Sequence, residues 1–200
     1  MPNLVPATTR SSLLIRVRDR ADAGAWGRFV ALYAPLLQDW LRRSGVPPHD
    51  HDDLVQDVLH AVAQEMPDFT YDRRAGGFRG WLRTVLTNRL RDYWRRRQSR
   101  PLATGDGRFV ATVLEQLEDP RSGMARVWDR EHDEHVVATL LELVRGDFEP
   151  ETWEAFRRTA LDGQAVAPVA VALGLTANAV KLARHRVLKR LRREAGGLID

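Results

Sequence analysis

The chain contains no cysteine in its 200 residues. That excludes disulfides, thiolate zinc sites, thiol nucleophiles and iron–sulfur clusters, and it fits a reducing compartment. No apolar run approaches the roughly 18 residues of a membrane span. Residues 1–20 lack a long apolar stretch ending in a small-residue cleavage site, so no signal peptide is expected. Strand-like alternation is almost absent, and no repeat or low-complexity tract is visible. What is present is 44% hydrophobic residues, enough for two small cores, in a helical text punctuated by glycine and proline. The chain is expected to be soluble, cytoplasmic and all-α, with two small helical domains joined by a flexible linker.

Apolar spacing of i, i+3, i+4 and i+7 predicts the helices. Asp22 caps the first long one, which runs to about Ser44 and carries Trp26, Phe29, Val30, Tyr33, Leu37, Trp40 and Leu41. The run Gly45-Val46-Pro47-Pro48 ends it. Asp50 or Asp52 caps the next, with Leu54, Val55, Val58, Leu59 and Val62 on one face, and Pro67 stops it. A loop with Gly76-Gly77 leads into a helix over about 78–97. Residues 100–123 carry two prolines, three glycines and a weak apolar set, and read as a linker with a helical turn or two. Helices return at 124–145, after Pro150, at 165–173 and at 177–195. The predicted layout is an N-terminal segment (1–22), a first domain (23–99), the linker (100–123) and a second domain (124–200).

Net charge is only +4, but it is unevenly spread. Phe78–Arg100 carries +7 and Lys181–Arg193 carries another +7, whereas His49–Asp68 holds six acids and no Lys or Arg. Two basic segments about a hundred residues apart suggest two contacts with a polyanion. The acidic segment suggests a separate, basic partner.

The spacing Ala170-x3-Gly174-x5-Val180 fits a helix-turn-helix: a small residue where the helices cross, a turn residue tolerant of positive φ, and a β-branched residue on the buried side of the second helix. Thr176 can cap that second helix. Val180, Ala183, Val187, Leu188 and Leu191 cluster on one side, leaving Asn178, Leu182, His185, Arg186 and Lys189 on the other. That is a face suited to a major groove.

In the helix over 78–97, Leu82, Val85, Leu86, Leu90 and Tyr93 form the buried stripe. Trp81, Thr84, Asn88, Arg91 and Arg95 form another, in which Arg and Thr hold phosphates, Asn reads a base edge and an aromatic stacks on an exposed base. The preceding loop, with Arg73, Arg74 and Arg79 around its glycines, is shaped to cup a flipped base with Phe78 as one wall.

These residues resemble a known family. Asp53-Leu54-Val55-Gln56-Asp57-Val58, then Phe78-Arg79-Gly80-Trp81-Leu82, then Asn88, Asp92 and Arg95-Arg96-Arg97 are similar to region 2 of bacterial RNA polymerase sigma factors. The C-terminal helix-turn-helix resembles their region 4, and the lack of a middle domain resembles the extracytoplasmic-function group. The resemblance implies a factor that directs core polymerase to promoters and assists melting. Asp53, Leu54, Gln56 and Asp57 would dock on the clamp coiled coil of polymerase, with the flap as a second polymerase contact. Arg73, Arg74, Phe78, Arg79, Trp81, Asn88, Arg91, Arg95, Arg96 and Arg97 would hold the −10 element. Thr176, Asn178, Lys181, Leu182, His185, Arg186 and Lys189 would read the −35 element, where Leu182 and Ala183 depart from the family's usual polar-Arg pair. An anti-sigma factor or a kinase-linked regulator is a further implied partner. No cofactor, metal, catalytic residue or membrane insertion is implied.

Two rival readings differ in class. A helix-turn-helix regulator working without polymerase leaves the acidic helix and the Trp81 stripe unexplained. A metal-dependent phosphoesterase would use His49, Asp50, His51, Asp52, Asp53, Asp57 and His60, of which Asp53, Asp57 and His60 share a helical face. His132 and His135 are expected to be surface polar residues.

Overall fold

The computed structural model describes residues 12–98 and 107–199. The N-terminal segment up to residue 11 and the start of the expected linker lie outside the described residues. Nine α-helices are found among the described residues: α1 (Leu13–Arg16), α2 (Ala23–Arg43), α3 (His51–Glu65), α4 (Gly77–Gln98), α5 (Gly107–Glu118), α6 (Gly123–Arg145), α7 (Pro150–Phe156), α8 (Val166–Leu173) and α9 (Ala177–Ala195). The fold is all-α, and no single helix among the described residues is long and apolar enough to cross a membrane. Contacts divide the chain into two units, with the boundary inside α6 between Val136 and Val137.

The first unit is built on α2. The Asp22 side chain accepts from the Ala25 N–H at 2.9 Å and is itself held by Arg16, so the helix starts where a cap can form. Val30, expected on the buried face, is 39% exposed, and Leu32 and Leu36 pack inward beside the other predicted residues. The end of α3 is held by Arg20, whose guanidinium donates to Ala63 O at 3.2 Å and Gln64 O at 3.0 Å. A cation on orphan C-terminal carbonyls complements the helix dipole. Phe29, Tyr33 and Phe78 form an aromatic cluster joining α2 to the start of α4, with ring centroids 4.6–6.0 Å apart.

The linker expectation is corrected here. Residues 107–118 form a three-turn helix whose Val110, Val113 and Leu117 are buried. The first half of α6 belongs to the same unit. Trp128, His132 and Val136, at i, i+4 and i+8, are fully buried, and Trp128 meets Trp40 edge-on at 5.2 Å. His132 is therefore buried and His135 half-buried, against the expectation that both lie on the surface. Tyr33 O–H donates to His132 Nε2 at 3.2 Å, His132 Nδ1 lies 3.0 Å from Asp133, and His135 Nε2 donates to Leu32 O at 2.6 Å. Burial holds the Tyr33 hydroxyl well above the usual phenol range, so it remains a donor.

The second unit contains the end of α6 and α7–α9. Helix α7 begins on Pro150, where the missing N–H costs nothing. It passes into a π-helical turn at Arg157–Leu161, where Glu154 binds Arg157 and Arg158 at 2.6–2.9 Å. Helices α8 and α9 meet at 103°, a helix-turn-helix angle. Gly174 has φ +65°, Ala170 is 6% exposed and Val180 is fully buried, so each takes the part its spacing predicts. Leu175 N–H bonds Ala170 O at 2.9 Å to close α8, and Thr176 Oγ1 accepts from Ala179 N–H at 3.1 Å to open α9.

If residues 107–136 are an integral part of the first unit, Trp128→Ala must destabilise it. Emptying a fully buried Trp site costs about 3–5 kcal/mol. Urea unfolding followed by far-ultraviolet circular dichroism should show the first unit's transition at clearly lower denaturant. An unchanged curve would mean that this stretch is a tolerant linker.

Candidate functional site

Three surfaces carry the charge asymmetry. On α3, Asp53, Gln56 and Asp57 are exposed, one turn apart, at the mouth of a groove of about 500 Å³ between α3 and α4. Arg89 and Arg96 of α4 line the same groove. One end is closed by a latch: Tyr93 O–H donates to Asp50 Oδ2 at 2.6 Å, Arg97 Nη1 donates to the same oxygen at 2.6 Å, and Arg97 also reaches Tyr93 Oη at 2.9 Å. The Tyr93 hydrogen bond holds the Asp50 carboxyl below the usual carboxylate range. Burial and then the Asp50 carboxylate push Tyr93 up to about 12.

The second surface is the loop before α4 and that helix's outer face. Asp72 accepts from the Arg74 N–H at 2.8 Å and sets a short 3-10 turn. Gly76 follows at φ +86°, and a Cβ there would stand 3.4 Å from the Gly80 Cα, so the close turn into α4 needs glycine. A groove of about 610 Å³ opens beside it, lined by Phe69, Thr70, Asp72, Trp81 and Thr84. Trp81 is half-buried, its ring 4.9 Å from Phe69. Thr84, Asn88, Arg91 and Arg95 continue the exposed stripe, with Arg91 bonded to Asn88 Oδ1 at 3.3 Å and paired with Glu118 of α5.

The third surface is α9, in the second unit. Thr176, Asn178, Lys181, Leu182, His185, Arg186 and Lys189 are all exposed, while Val180, Ala183 and Val187 are buried.

Residues 29–100 match the family model of Sigma-70 region 2. Over 162 residues the chain is 34% identical to the RNA polymerase sigma factor CnrH of Cupriavidus metallidurans, covering 78% of this chain and 79% of that one. It is 30% identical over 185 residues to the ECF RNA polymerase sigma factor SigF of Caulobacter vibrioides, covering 92% of each. The chain belongs to the extracytoplasmic-function RNA polymerase sigma factors. A solved structure of CnrH in complex with the cytosolic domain of CnrY aligns over 90% of this chain and 92% of that one, with 27% identity and a TM-score of 0.36.

Two predicted contact residues of the sigma factor are buried. Leu54 is 4% exposed, packing beneath the acidic face where it lines the groove between α3 and α4. Phe78 is 1% exposed, enclosed by Phe29, Tyr33, Phe69 and Trp81. It anchors the loop from inside and offers no wall to a base. Arg79 is turned toward α6, donating to Asp133 Oδ2 at 2.6 Å, while its carbonyl accepts from Trp128 Nε1–H at 3.1 Å. Arg83 pairs with Asp129 at 2.9 Å with its side chain only 8% exposed. The helix over 124–145 was expected, but the packing of its first half on the first unit and the pairing of Asp129 and Asp133 with α4 were missed in the sequence, although Trp128, His132 and Val136 at steps of four mark a buried face. Arg73, Arg74, Arg95 and Arg96 lie exposed, and Arg97 is engaged in the latch. In the acidic segment, His51 donates to Val46 O at 2.8 Å and His60 bonds Gln64. Among the described residues no group of three or more His, Asp or Glu is arranged to hold a metal ion.

The latch has a titration signature. Because the Asp50 charge favours the protonated phenol, Asp50→Asn should move the Tyr93 titration from about 12 back toward 10, with burial keeping it above the free value. The raised phenol favours folding below pH 10, and that contribution disappears as pH rises through 12. Difference absorbance at 295 nm against pH reports it. An identical titration in the variant would mean that Asp50 and Tyr93 do not meet in solution.

Proposed function

We propose that the sigma factor divides its work among these three surfaces. The acidic face of α3, with Asp53, Gln56 and Asp57, binds the clamp coiled coil of core polymerase. The Gly76 loop with Arg73 and Arg74, and the stripe Trp81, Asn88, Arg91 and Arg95, hold the −10 element single-stranded. Helix α9, through Asn178, Leu182, His185, Arg186 and Lys189 with Thr176 and Lys181 at its start, reads the −35 element. The second unit also contacts the flap, and an anti-sigma factor or similar regulator competes with polymerase. The protein acts in the cytoplasm, needs no cofactor and catalyses no reaction of its own.

The observation that carries this reading is the separation of charge by face: six acids without a Lys or Arg in His49–Asp68 against basic, aromatic-interleaved faces elsewhere. Coulombic complementarity then sets which surface meets protein and which meets DNA. A regulator working without polymerase has no use for the acidic face.

Asp53→Lys with Asp57→Lys reverses that face, and both positions are exposed, so the fold should survive. Like-charge juxtaposition can cost several kcal/mol. A fluorescence titration with core polymerase should show at least about a hundredfold loss of affinity, since each 1.4 kcal/mol is tenfold. Unchanged affinity would remove α3 from the interface.

A further inference from the structure

The arginines of α4 fall on distinct faces. At 100° per residue, Arg89 and Arg96 lie within about 20° of each other and about 80–160° around the axis from Thr84, Asn88, Arg91 and Arg95. Both line the groove that Asp53 and Asp57 line from α3. The Arg89 side chain is 34% exposed and its Nη1 pairs with Asp92 at 3.8 Å, while its Nε is buried with no hydrogen-bond partner among the described residues. Arg97, the third basic residue on this side, is bound to Asp50 and closes one end of the groove.

We infer that Arg89 and Arg96 belong to the polymerase-binding surface rather than to the promoter-DNA surface. The polymerase element seated in the groove carries both signs of charge, a basic residue against Asp53 and Asp57 and a carboxylate against Arg89 and Arg96. This rests on the reading that the α3 face docks on core polymerase. A phosphate entering the groove to reach Arg89 would lie beside two carboxylates, and that like-charge contact opposes it. A purely basic partner would meet like charge at the guanidinium wall. An element with acid and base a helical turn apart meets both walls at once, and helices present such i, i+4 pairs. The second wall also fixes register, because a one-turn slip brings like charges together.

The test uses the full-length protein and core polymerase. Arg89→Glu with Arg96→Glu should weaken core binding at least tenfold. At saturating concentration, where holoenzyme still forms, capture of a single-stranded −10 oligonucleotide should match wild type. Asn88→Ala with Arg91→Ala should do the reverse. The neutral pair Arg89→Gln with Arg96→Gln should weaken core binding less than the reversal, and it guards against misfolding of the Glu variant, which thermal melting reports. Unchanged core affinity with lost oligonucleotide capture would overturn the inference while leaving the α3 reading intact. If Asp53→Lys with Asp57→Lys also leaves core affinity unchanged, the docking reading itself has failed.

Discussion

Helix α4 has to answer to four packed neighbours and, on the proposed reading, to two external partners with one 22-residue sequence. Its apolar residues bind α3 and the aromatic cluster of α2. Arg79 and Arg83 are drawn to Asp133 and Asp129 of α6, and Arg91 to Glu118 of α5. Once Arg79 and Arg83 are engaged in this way, helical phase decides what the remaining arginines can touch. The net charge of the segment, +7 over Phe78–Arg100, therefore overstates what it offers to a polyanion. A buried arginine such as Arg83 depends on its partner, since removing one member of a desolvated pair is costly. The folding of residues 107–136 onto the first unit is what makes those partners available.

Much of this was legible in the sequence. Caps at Asp22 and Thr176, the stop at Pro67 and the helix-turn-helix spacing are local signals, each set by one or two residues, and each appears in the structure as read. The exposed face of α9 followed from phase because only one side of that helix is buried. Leu54 and Phe78 were different. Both sit inside motifs that carry function, and membership of a motif does not separate a side chain that touches a partner from one that holds its neighbours in place. Burial separates them.

The helices α5 and α6 were harder to place. Pro101 and Gly105 precede α5, which opens on Gly107, and Pro120 precedes α6, which opens on Gly123, so the segment has the composition of a linker. Its attachment is long-range: Trp128 to Trp40, His132 to Tyr33, Asp129 to Arg83. No local pattern reports contacts forty-six to ninety-nine residues apart. The same limit hid the groove between α3 and α4, whose acidic and basic walls are separate charge runs in the sequence and become one surface only when the helices pack.

The division of α4 into a polymerase face and a DNA face is open to direct observation. A photo-crosslinking side chain placed at position 89 or at position 91 can be irradiated in a promoter complex with core polymerase. Position 89 is expected to cross-link to a polymerase subunit and position 91 to the non-template strand of the −10 element. Cross-linking of position 89 to DNA, or of position 91 to polymerase protein alone, would contradict the assignment of these faces.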